Sequence, residues 1–252
     1  NGVTIKAGDW AFIGDSGEVD GVTYTIVNRA SLELMIENNE DISVVCTSLI
    51  SDMSDLFLIE GGYSFDYNIG SWDVSSVTNM YAMFYNSEFN QDISNWDVTS
   101  VTNMTAMFSN SEFNQDISNW DVTSVTRMSS MFYNAHSFNQ PIGDWDVSNV
   151  TTTEWMFRYS DSFNQDISNW DVSNVTWMSY MFDGSVFNQD IGNWDTSNVT
   201  NMGGMFNGAI NFNQDLSNWD VENVGYCGCF STYAENWTLP RPNFTNCNDG
   251  AC

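Results

Sequence analysis

Regularly spaced aspartates are the residues of this sequence that could most readily bind a metal ion or take part in catalysis. Seven directly follow a tryptophan, and a second set lies four residues before most of these tryptophans. Counting each tryptophan as position 0, position +1 holds Asp73, Asp97, Asp121, Asp146, Asp171, Asp195 and Asp220. Position −4 holds Asp92, Asp116, Asp166, Asp190 and Asp215, with Asn68 and Pro141 in the remaining copies. Repeated carboxylates offer oxygen ligands to Ca²⁺ and, where two differ in environment, acid and base catalysis.

The +1 aspartates have two interpretations. Neighbouring carboxylates could share Ca²⁺, the one cofactor that the sequence leaves open, although none is required. The candidate ligands are Asp97, Asp121, Asp146, Asp171 and Asp195. Alternatively, each Asp-Val-Ser/Thr run is an Asx-turn signal, in which the carboxylate accepts a nearby backbone N–H. No Asp-x-Asp-x-Asp-Gly loop occurs, which favours the turn.

Catalysis is disfavoured by the same regularity. Acid–base chemistry needs two carboxylates in different environments, whereas a repeated column gives every carboxylate the same one. The single histidine, His136, lies in a variable loop. No Gly-x-Ser-x-Gly, phosphate-binding loop or Cys–His arrangement occurs. We therefore predict that the protein is not an enzyme.

The aspartates belong to an internal repeat of 24–25 residues. Its tryptophans are Trp72, Trp96, Trp120, Trp145, Trp170, Trp194 and Trp219. A degenerate eighth copy, residues 41–57, precedes them with Val45 at position 0 and Cys46 at +1. A unit this short cannot bury its own core, so the period predicts a solenoid of stacked coils over residues 41–230.

Each coil is predicted to hold one short strand and one helical turn. Apolar residues at 0 and +2 alternate with polar ones, which is strand periodicity, and neighbouring strands would form a parallel sheet spaced about 4.8 Å apart. Met-x-x-Met-Phe at +8 to +12 predicts a short α-helical or 3₁₀ turn on the opposite wall. Asparagine at −6 predicts an inward amide that satisfies adjoining turns. The −6 residues are Asn90, Asn114, Asn139, Asn164, Asn188 and Asn213.

The unit FNQxIxxWDVSxVTxMxxMF resembles the BspA-like surface-protein family, a leucine-rich-repeat-type group of bacterial lipoproteins and cell-surface proteins. The resemblance covers about three quarters of the chain. It implies a curved, leucine-rich-repeat-like solenoid, export from the cell, and a role in adhesion or in contact with a host or matrix. It brings no catalytic motif.

Both ends are predicted to cap the solenoid. In residues 1–40, Val19-Asp20-Gly21-Val22 is a hairpin signal before a strand at 23–27, and residues 31–38 form a short amphipathic helix. Residues 231–252 form the second cap, and the repeat pattern already degrades from Gly225.

Four cysteines near the C terminus predict disulfides in the second cap, and thus an oxidising compartment. They are Cys227, Cys229, Cys247 and Cys252, and three pairings are open. We favour Cys229–Cys247 with Cys227–Cys252, which closes the cap loop twice. Cys46 is left over, either free or paired outside this sequence. With one histidine and no Cys-x-x-Cys, a zinc site is disfavoured.

Charge excludes several partners. The net charge is −28, with five Lys and Arg against 33 Asp and Glu, so neither nucleic acid nor an anionic membrane is expected to bind. No apolar run approaches the roughly 20 residues that span a bilayer, which predicts no membrane insertion. Self-repulsion predicts a monomer. The start at Asn1 is typical of a mature or trimmed fragment.

Three columns that break the repeat predict a binding site. Positions +7, +10 and +13 are mostly small or polar in the outer copies and become aromatic or basic in the middle ones. On a helical turn this spacing places them on one side. The candidates are Arg127, Tyr133, Trp155, Arg158, Trp177 and Tyr180. Arg, Trp and Tyr are enriched in binding hot spots; the alternative is a structural cation–π cluster.

The sequence therefore predicts a secreted or cell-surface, non-catalytic binding or adhesion protein whose partner is an extracellular protein or glycan. Two alternatives are an ice-binding protein and a purely structural surface-layer solenoid. The first rests on a threonine column at +6, which a cap on the following turn also explains. Its members are Thr78, Thr102, Thr126, Thr151, Thr176 and Thr200.

Overall fold

The computed structural model describes residues 4–58 and 67–247, and its regular elements lie near the N terminus. They are strand β1 Ser16–Val19, strand β2 Val22–Ile26, helix α1 Arg29–Glu37, a 3₁₀ helix Ile42–Val44 and strand β3 Val45–Cys46. β1 pairs antiparallel with β2, and β2 pairs parallel with β3, which makes a small mixed sheet.

The hairpin and helix predicted before residue 40 are confirmed. Asp20 and Gly21 both have positive φ, 53° and 81°, which suits a two-residue turn that follows the twist of the strands. Helix α1 begins earlier than predicted because Asn28 caps it. The Asn28 side chain accepts the Ser31 N–H at 2.8 Å, and Ser31 Oγ accepts the Asn28 N–H at 3.0 Å.

Successive repeats lie side by side in parallel register, although no helix or strand is assigned after residue 46 in the described chain. Isolated parallel bridges join equivalent residues of neighbouring repeats, all at position +7 or its counterpart in the degenerate copy. The chain of bridges runs through Asp52, Asn79, Asn103, Arg127, Thr152, Trp177, Asn201 and Tyr226. The protein is thus a repeat protein with little helix.

The prediction of a strand at positions 0 and +2 is wrong. Backbone N–H groups in this part of the repeat bond within their own repeat: Trp120 donates to the Ile117 carbonyl at 3.1 Å, and Val125 to that of Val122 at 2.8 Å. These are two consecutive turns, so few donors are left for a neighbouring coil. Turns and strands can both direct apolar side chains two residues apart into the core, so alternating polarity alone does not distinguish a turn from a strand.

The prediction of a helical turn at +8 to +12 is also wrong, because alternate N–H groups there bond to the next repeat. Met104 donates to the Arg127 carbonyl at 3.0 Å, and Ala106 donates to that of Ser129 at 2.9 Å. Residues at +10 and +14 are left-handed, as with Ala106 and Asn110 at φ 56° and 54°. A left-handed residue every fourth position stops a helix from propagating. We refer to positions +6 to +14 as the ladder segment.

Columns of aromatic side chains from successive repeats fill the core. Trp96 and Trp120 stack with ring centroids 6.5 Å apart, and Phe108 and Phe132 stack at 5.8 Å. The indole N–H of Trp120 donates to the carbonyl of Ile93 in the preceding repeat at 3.2 Å. Each tryptophan column member therefore packs and hydrogen-bonds at the same time, which satisfies a buried donor.

The asparagine column at −6 links neighbouring repeats, as predicted, but from the surface. Oδ1 of Asn90 accepts the backbone N–H of Asn114 at 2.9 Å, and the same bond recurs from Asn114 to Asn139 at 3.0 Å. These side chains are exposed or half-buried rather than inward. The side-chain amides satisfy backbone donors at the edge of the stack.

The C-terminal disulfide differs from the pairing that we favoured. Cys227 is bonded to Cys247, with 5.8 Å between the Cα atoms, so the predicted Cys229–Cys247 and Cys227–Cys252 pairs are wrong. Cys227 takes the inward place of the +8 methionine, and Cys247 packs against the same core. Cys229 is also disulfide-bonded, and Cys252 lies outside the described residues. Cys46 is a free, buried thiol.

One core position is anomalous. Thr153 occupies the +8 column, where the other copies have methionine or Cys227, and its exposed fraction is 2%. Within the described residues, its Oγ1 has no hydrogen-bond partner. By contrast, the buried Thr196 hydroxyl at +2 donates to the Asp220 carbonyl at 2.7 Å. An unpaired buried hydroxyl is destabilising.

Replacing Trp120 by alanine tests the stacking. We expect Trp120→Ala to lower the free energy of unfolding by about 3–5 kcal/mol, since it removes a large buried ring. Nearest-neighbour coupling confines the damage mainly to adjoining repeats. Native-state hydrogen exchange should lose protection around residues 96–145 and keep it in α1, with Trp120→Phe as the milder control. Equal loss along the whole chain would contradict this.

Thr153→Met should raise the melting temperature. It removes the unpaired hydroxyl and restores the side chain of the neighbouring repeats, and an increase of about 1 kcal/mol corresponds to about 2–4 °C for a chain of this size. Thr153→Val is the matched control, because it removes only the hydroxyl. A lower melting temperature for methionine with a higher one for valine would show that the site has no room for the larger side chain.

Candidate functional site

The aspartate columns form Asx turns, as one of the two interpretations predicted. In all seven Trp-Asp copies, Oδ1 of the +1 aspartate accepts the backbone N–H two residues later. The −4 aspartates do the same, and Asn68 does so with its amide oxygen. Each carboxylate thus satisfies a donor at a turn.

In several of these turns the hydrogen bonds lower the pKa of the carboxyl group. The Ser148 hydroxyl and backbone N–H lower the pKa of Asp146, and those of Ser197 lower the pKa of Asp195. Among residues 4–58 and 67–247, no group of three or more His, Cys, Asp or Glu is placed to hold a metal ion. Calcium binding by the +1 aspartates stays a prediction.

Exposed aromatic side chains concentrate on the ladder segment. In residues 67–247, every aromatic side chain with high exposure lies between +7 and +14 of its repeat. They are Tyr81, Tyr85, Trp155, Tyr159, Trp177, Tyr226 and Tyr233. Position +1 holds aspartate and position +3 holds serine, threonine or glutamate instead. The stack therefore has an acidic, polar side and an aromatic side.

Arg158 is the centre of a cluster on the aromatic side. Its Cζ lies 4.6 Å from the ring centroid of Tyr159, 5.1 Å from Tyr180, 5.6 Å from Trp155 and 6.0 Å from Tyr133. The guanidinium therefore makes cation–π contacts with four rings drawn from three consecutive repeats. We name these five residues the aromatic patch.

A buried carboxylate fixes Arg158. Its Nε donates to Asp183 Oδ2 at 2.6 Å, and its terminal nitrogen donates to the Tyr159 hydroxyl at 2.8 Å. Asp183 is 2% exposed and also accepts from the Asn207 amide at 2.8 Å. Burial raises the pKa of the Asp183 carboxyl, and the bonds from Asn207 and Arg158 offset only part of that rise. The charges are paired, so the patch is nearly neutral.

The rings of the patch also touch one another. Tyr133 contacts Trp155 at 6.4 Å and Tyr159 at 6.1 Å between ring centroids, and Trp155 meets Tyr180 edge-on at 6.3 Å. Such tilted pairs hold their partners in defined orientations. The patch is therefore preorganised, with Trp155 still 40% exposed.

Four of the six residues predicted for the site come together in the patch: Tyr133, Trp155, Arg158 and Tyr180. The other two, Arg127 and Trp177, lie in the +7 column on either side of Thr152. Both are exposed, Trp177 to 52%. They flank the patch along the bridges that join the repeats.

Sequence reasoning missed Tyr159 and Asp183. The signal for Tyr159 is present, because its +14 column holds asparagine or glycine in five of the seven Trp-Asp copies. Asparagine and glycine at one fixed position indicate a left-handed backbone, so a tyrosine there is anomalous. Asp183 lies in the variable +13 column, but its type gives no comparable signal, since acidic residues are common throughout this chain.

Repeats joined by a hydrogen-bonded ladder, with an aromatic patch fixed on that ladder, define a repeat protein with an ordered aromatic cluster on its surface. The chain belongs to the family described as Mycoplasma protein of unknown function, DUF285, whose model matches residues 27–140, 104–186 and 169–245. No curated protein and no solved structure matches it. None of the helices in the described chain is long and apolar enough to cross a membrane.

Asp146 tests the role of the acidic columns. We expect Asp146→Ala to cost about 1 kcal/mol of unfolding free energy, because the Ser148 N–H loses its acceptor. Asp146→Asn should stay within about 0.5 kcal/mol at neutral pH, since an amide serves as acceptor at Asn68. Urea unfolding of the two variants measures the difference. Equal destabilisation by both would contradict the turn role.

The pH dependence of stability tests whether the ionised Asp146 carboxylate stabilises its turn. The folded-state pKa of Asp146 is lowered, so its carboxylate stabilises above the unfolded value of about 3.9 and loses that contribution as the pH falls through the folded value. Asp146→Asn should lack this step.

If the column binds Ca²⁺, calcium chloride should raise the wild-type melting temperature more than sodium chloride of equal ionic strength, and Asp146→Asn should reduce the gain.

Proposed function

We propose that this chain is an exported, non-catalytic repeat protein that binds an extracellular protein or glycan through the aromatic patch. Its stacked repeats would form an open solenoid of leucine-rich-repeat type, capped at both ends and similar to BspA-like surface proteins. The observation that carries the proposal is the patch itself: four rings fixed around one arginine on an exposed face.

The composition of the patch supports a binding role. Tryptophan, tyrosine and arginine are enriched in the hot spots of recognition surfaces, and the two aromatic residues bury large areas at a small cost in side-chain entropy. Here the Arg158–Asp183 bond and the ring contacts have already fixed the side chains. Little further ordering is therefore needed on binding.

Backbone conformation supports it independently. Trp155, Tyr159 and Tyr180 lie at φ 59°, 57° and 55°, at positions where the other repeats have alanine, serine, asparagine or glycine, except for Cys229 and Tyr233 in the last one. The left-handed conformation costs a bulky L-residue roughly 1 kcal/mol or more. Three such choices in consecutive repeats, on the surface, are unfavourable for folding and point to selection for a surface contact.

The disulfide supports an extracellular location. A bonded Cys227–Cys247 pair is typical of oxidising environments. The threonine column gives less support to ice binding, because its hydroxyls are engaged in the stack: Thr102 Oγ1 donates to the Thr78 carbonyl at 3.1 Å. A purely structural role is tested by the experiment below.

Trp155→Ala tests the proposal, since alanine is the residue that two other repeats carry at +10. We expect the free energy of unfolding to change by no more than about 0.5 kcal/mol, because Trp155 is 40% exposed and alanine also occupies the left-handed +10 position at Ala82 and Ala106. Binding to a glycan array or to immobilised matrix proteins should fall by about 2 kcal/mol, roughly 30-fold. A structural role predicts lower stability instead.

Ile210→Ala is the matched control, because Ile210 is 55% exposed and lies outside the ladder segment. It should leave binding unchanged. Tyr159→Asn, which restores the commonest +14 residue, should behave like Trp155→Ala. Wild-type protein that binds neither panel, or patch variants that bind as well as the wild type, would contradict the proposal.

A further inference from the structure

We infer that the aromatic patch is the centre of a track for one extended, neutral glycan chain that runs along the stack of repeats. This inference rests on the proposed function and narrows its partner to a sugar polymer. It concerns the exposed aromatic residues beyond the patch, which a compact binding site would not need.

Exposed aromatic residues occur at both ends of the stack as well as at the patch. Tyr81 and Tyr85 lie in the repeat of Trp72, and Tyr226 and Tyr233 lie in the repeat of Trp219. Seven repeats separated by about 4.8 Å give a track of about 29 Å. A protein hot spot clusters near the centre of its interface, whereas these rings occur from the first Trp-Asp repeat to the last, with none in the ladder segments of the Trp96 and Trp194 repeats. This distribution fits a linear ligand.

Glycines keep several rings low on the surface. A Cβ built on Gly204 would lie 2.2 Å from Tyr180 Cε1, and one on Gly184 would lie 2.5 Å from Tyr159 Cδ1. Each ring thus occupies space that a side chain of the next repeat would fill. Held against bare backbone, a ring turns its remaining side to solvent.

The same arrangement recurs two repeats beyond the patch. A Cβ on Gly203 would lie 2.2 Å from Tyr226 Cε1. Tyr180 and Tyr226 therefore lean over adjacent glycines of one repeat from its two sides. Low rings at intervals suit the flat, apolar faces of pyranose rings, which stack on aromatic surfaces.

Polar groups that sugars could use lie between the rings. Ser179 Oγ donates to Glu154 Oε1 at 2.6 Å, and the hydroxyls of Ser129 and Thr152 are 2.8 Å apart. Glu154 precedes Trp155 in the chain, and Ser179 precedes Tyr180. Hydroxyl groups of a sugar need donors and acceptors beside the stacking surface, and these residues supply both.

The negative charge of the protein favours a neutral glycan over an anionic one. The chain has a net charge of −28, and Arg158 is already paired with Asp183. A sulfated or phosphate-rich polymer would meet long-range repulsion with little local compensation. A neutral glycan meets no such barrier.

Chain length provides the test. Wild-type protein is titrated with neutral β-1,4-glucan, β-1,4-N-acetylglucosamine, β-1,3-glucan and α-mannan series, each from disaccharide to octasaccharide, and with heparin. We expect one neutral series to gain roughly a hundredfold in affinity with length, as contacts along the track add up within one molecule. Heparin should bind more weakly than the longest member of that series.

Two variants locate the effect. Trp155→Ala should weaken binding of short and long members about 30-fold. Tyr226→Ala should weaken only the long ones, because its ring lies beyond the patch, and Ile210→Ala should weaken none. Length-independent affinity, no effect of Tyr226→Ala, or preference for heparin would each overturn the track.

The protein panel separates this inference from the proposed function. If an immobilised matrix protein binds and Trp155→Ala abolishes that binding while no oligosaccharide series binds, the glycan track is overturned and the proposed function stands. If neither panel binds the wild type, both are overturned.

Discussion

The structure depends on one set of hydrogen bonds, the ladder that joins the segments from +6 to +14 of successive repeats. Its donors alternate: Ala106 and Phe108 bond to the next repeat, while Met107 bonds back to Met104 in its own. This alternation requires left-handed residues at +10 and +14, and all seven Trp-Asp copies have them. The ladder therefore places +8, +11 and +12 in the core and opens the left-handed positions to substitution.

That constraint explains where variation is tolerated. Core columns face identical columns of the neighbouring repeats, so one change leaves an unmatched group, as Thr153 shows. A left-handed surface position pays only a local conformational cost, and contacts such as that of Tyr180 with Gly204 accommodate its side chain. Large exposed side chains can therefore be placed on the ladder without disturbing the stack, which is why the patch and the strained backbone coincide.

Much of the architecture could be predicted from the sequence, but not the path of the chain within a repeat. The fixed spacing of the tryptophans indicated stacking, and Asp20-Gly21 indicated the hairpin. The strand prediction at positions 0 and +2 is wrong because Trp120 and Val122 alternate in burial like the residues of a strand, while their backbone forms turns. Alanine at +10 does not indicate a left-handed backbone, whereas Asn110 and Gly184 at +14 do.

The candidate site was predictable to the extent that it breaks the repeat. Tyr133, Trp155, Arg158 and Tyr180 depart from their columns, and comparing columns finds them without any structure. Asp183 does not stand out, since its importance comes from burial beside Arg158 rather than from its type. Acidic residues are used throughout the other side of the stack, where the turns at Asp146 and its equivalents bind them locally. With those carboxylates engaged in turns, the long-range charge repels polyanions while the aromatic side stays nearly neutral, and this division of charge is the basis for inferring an uncharged partner.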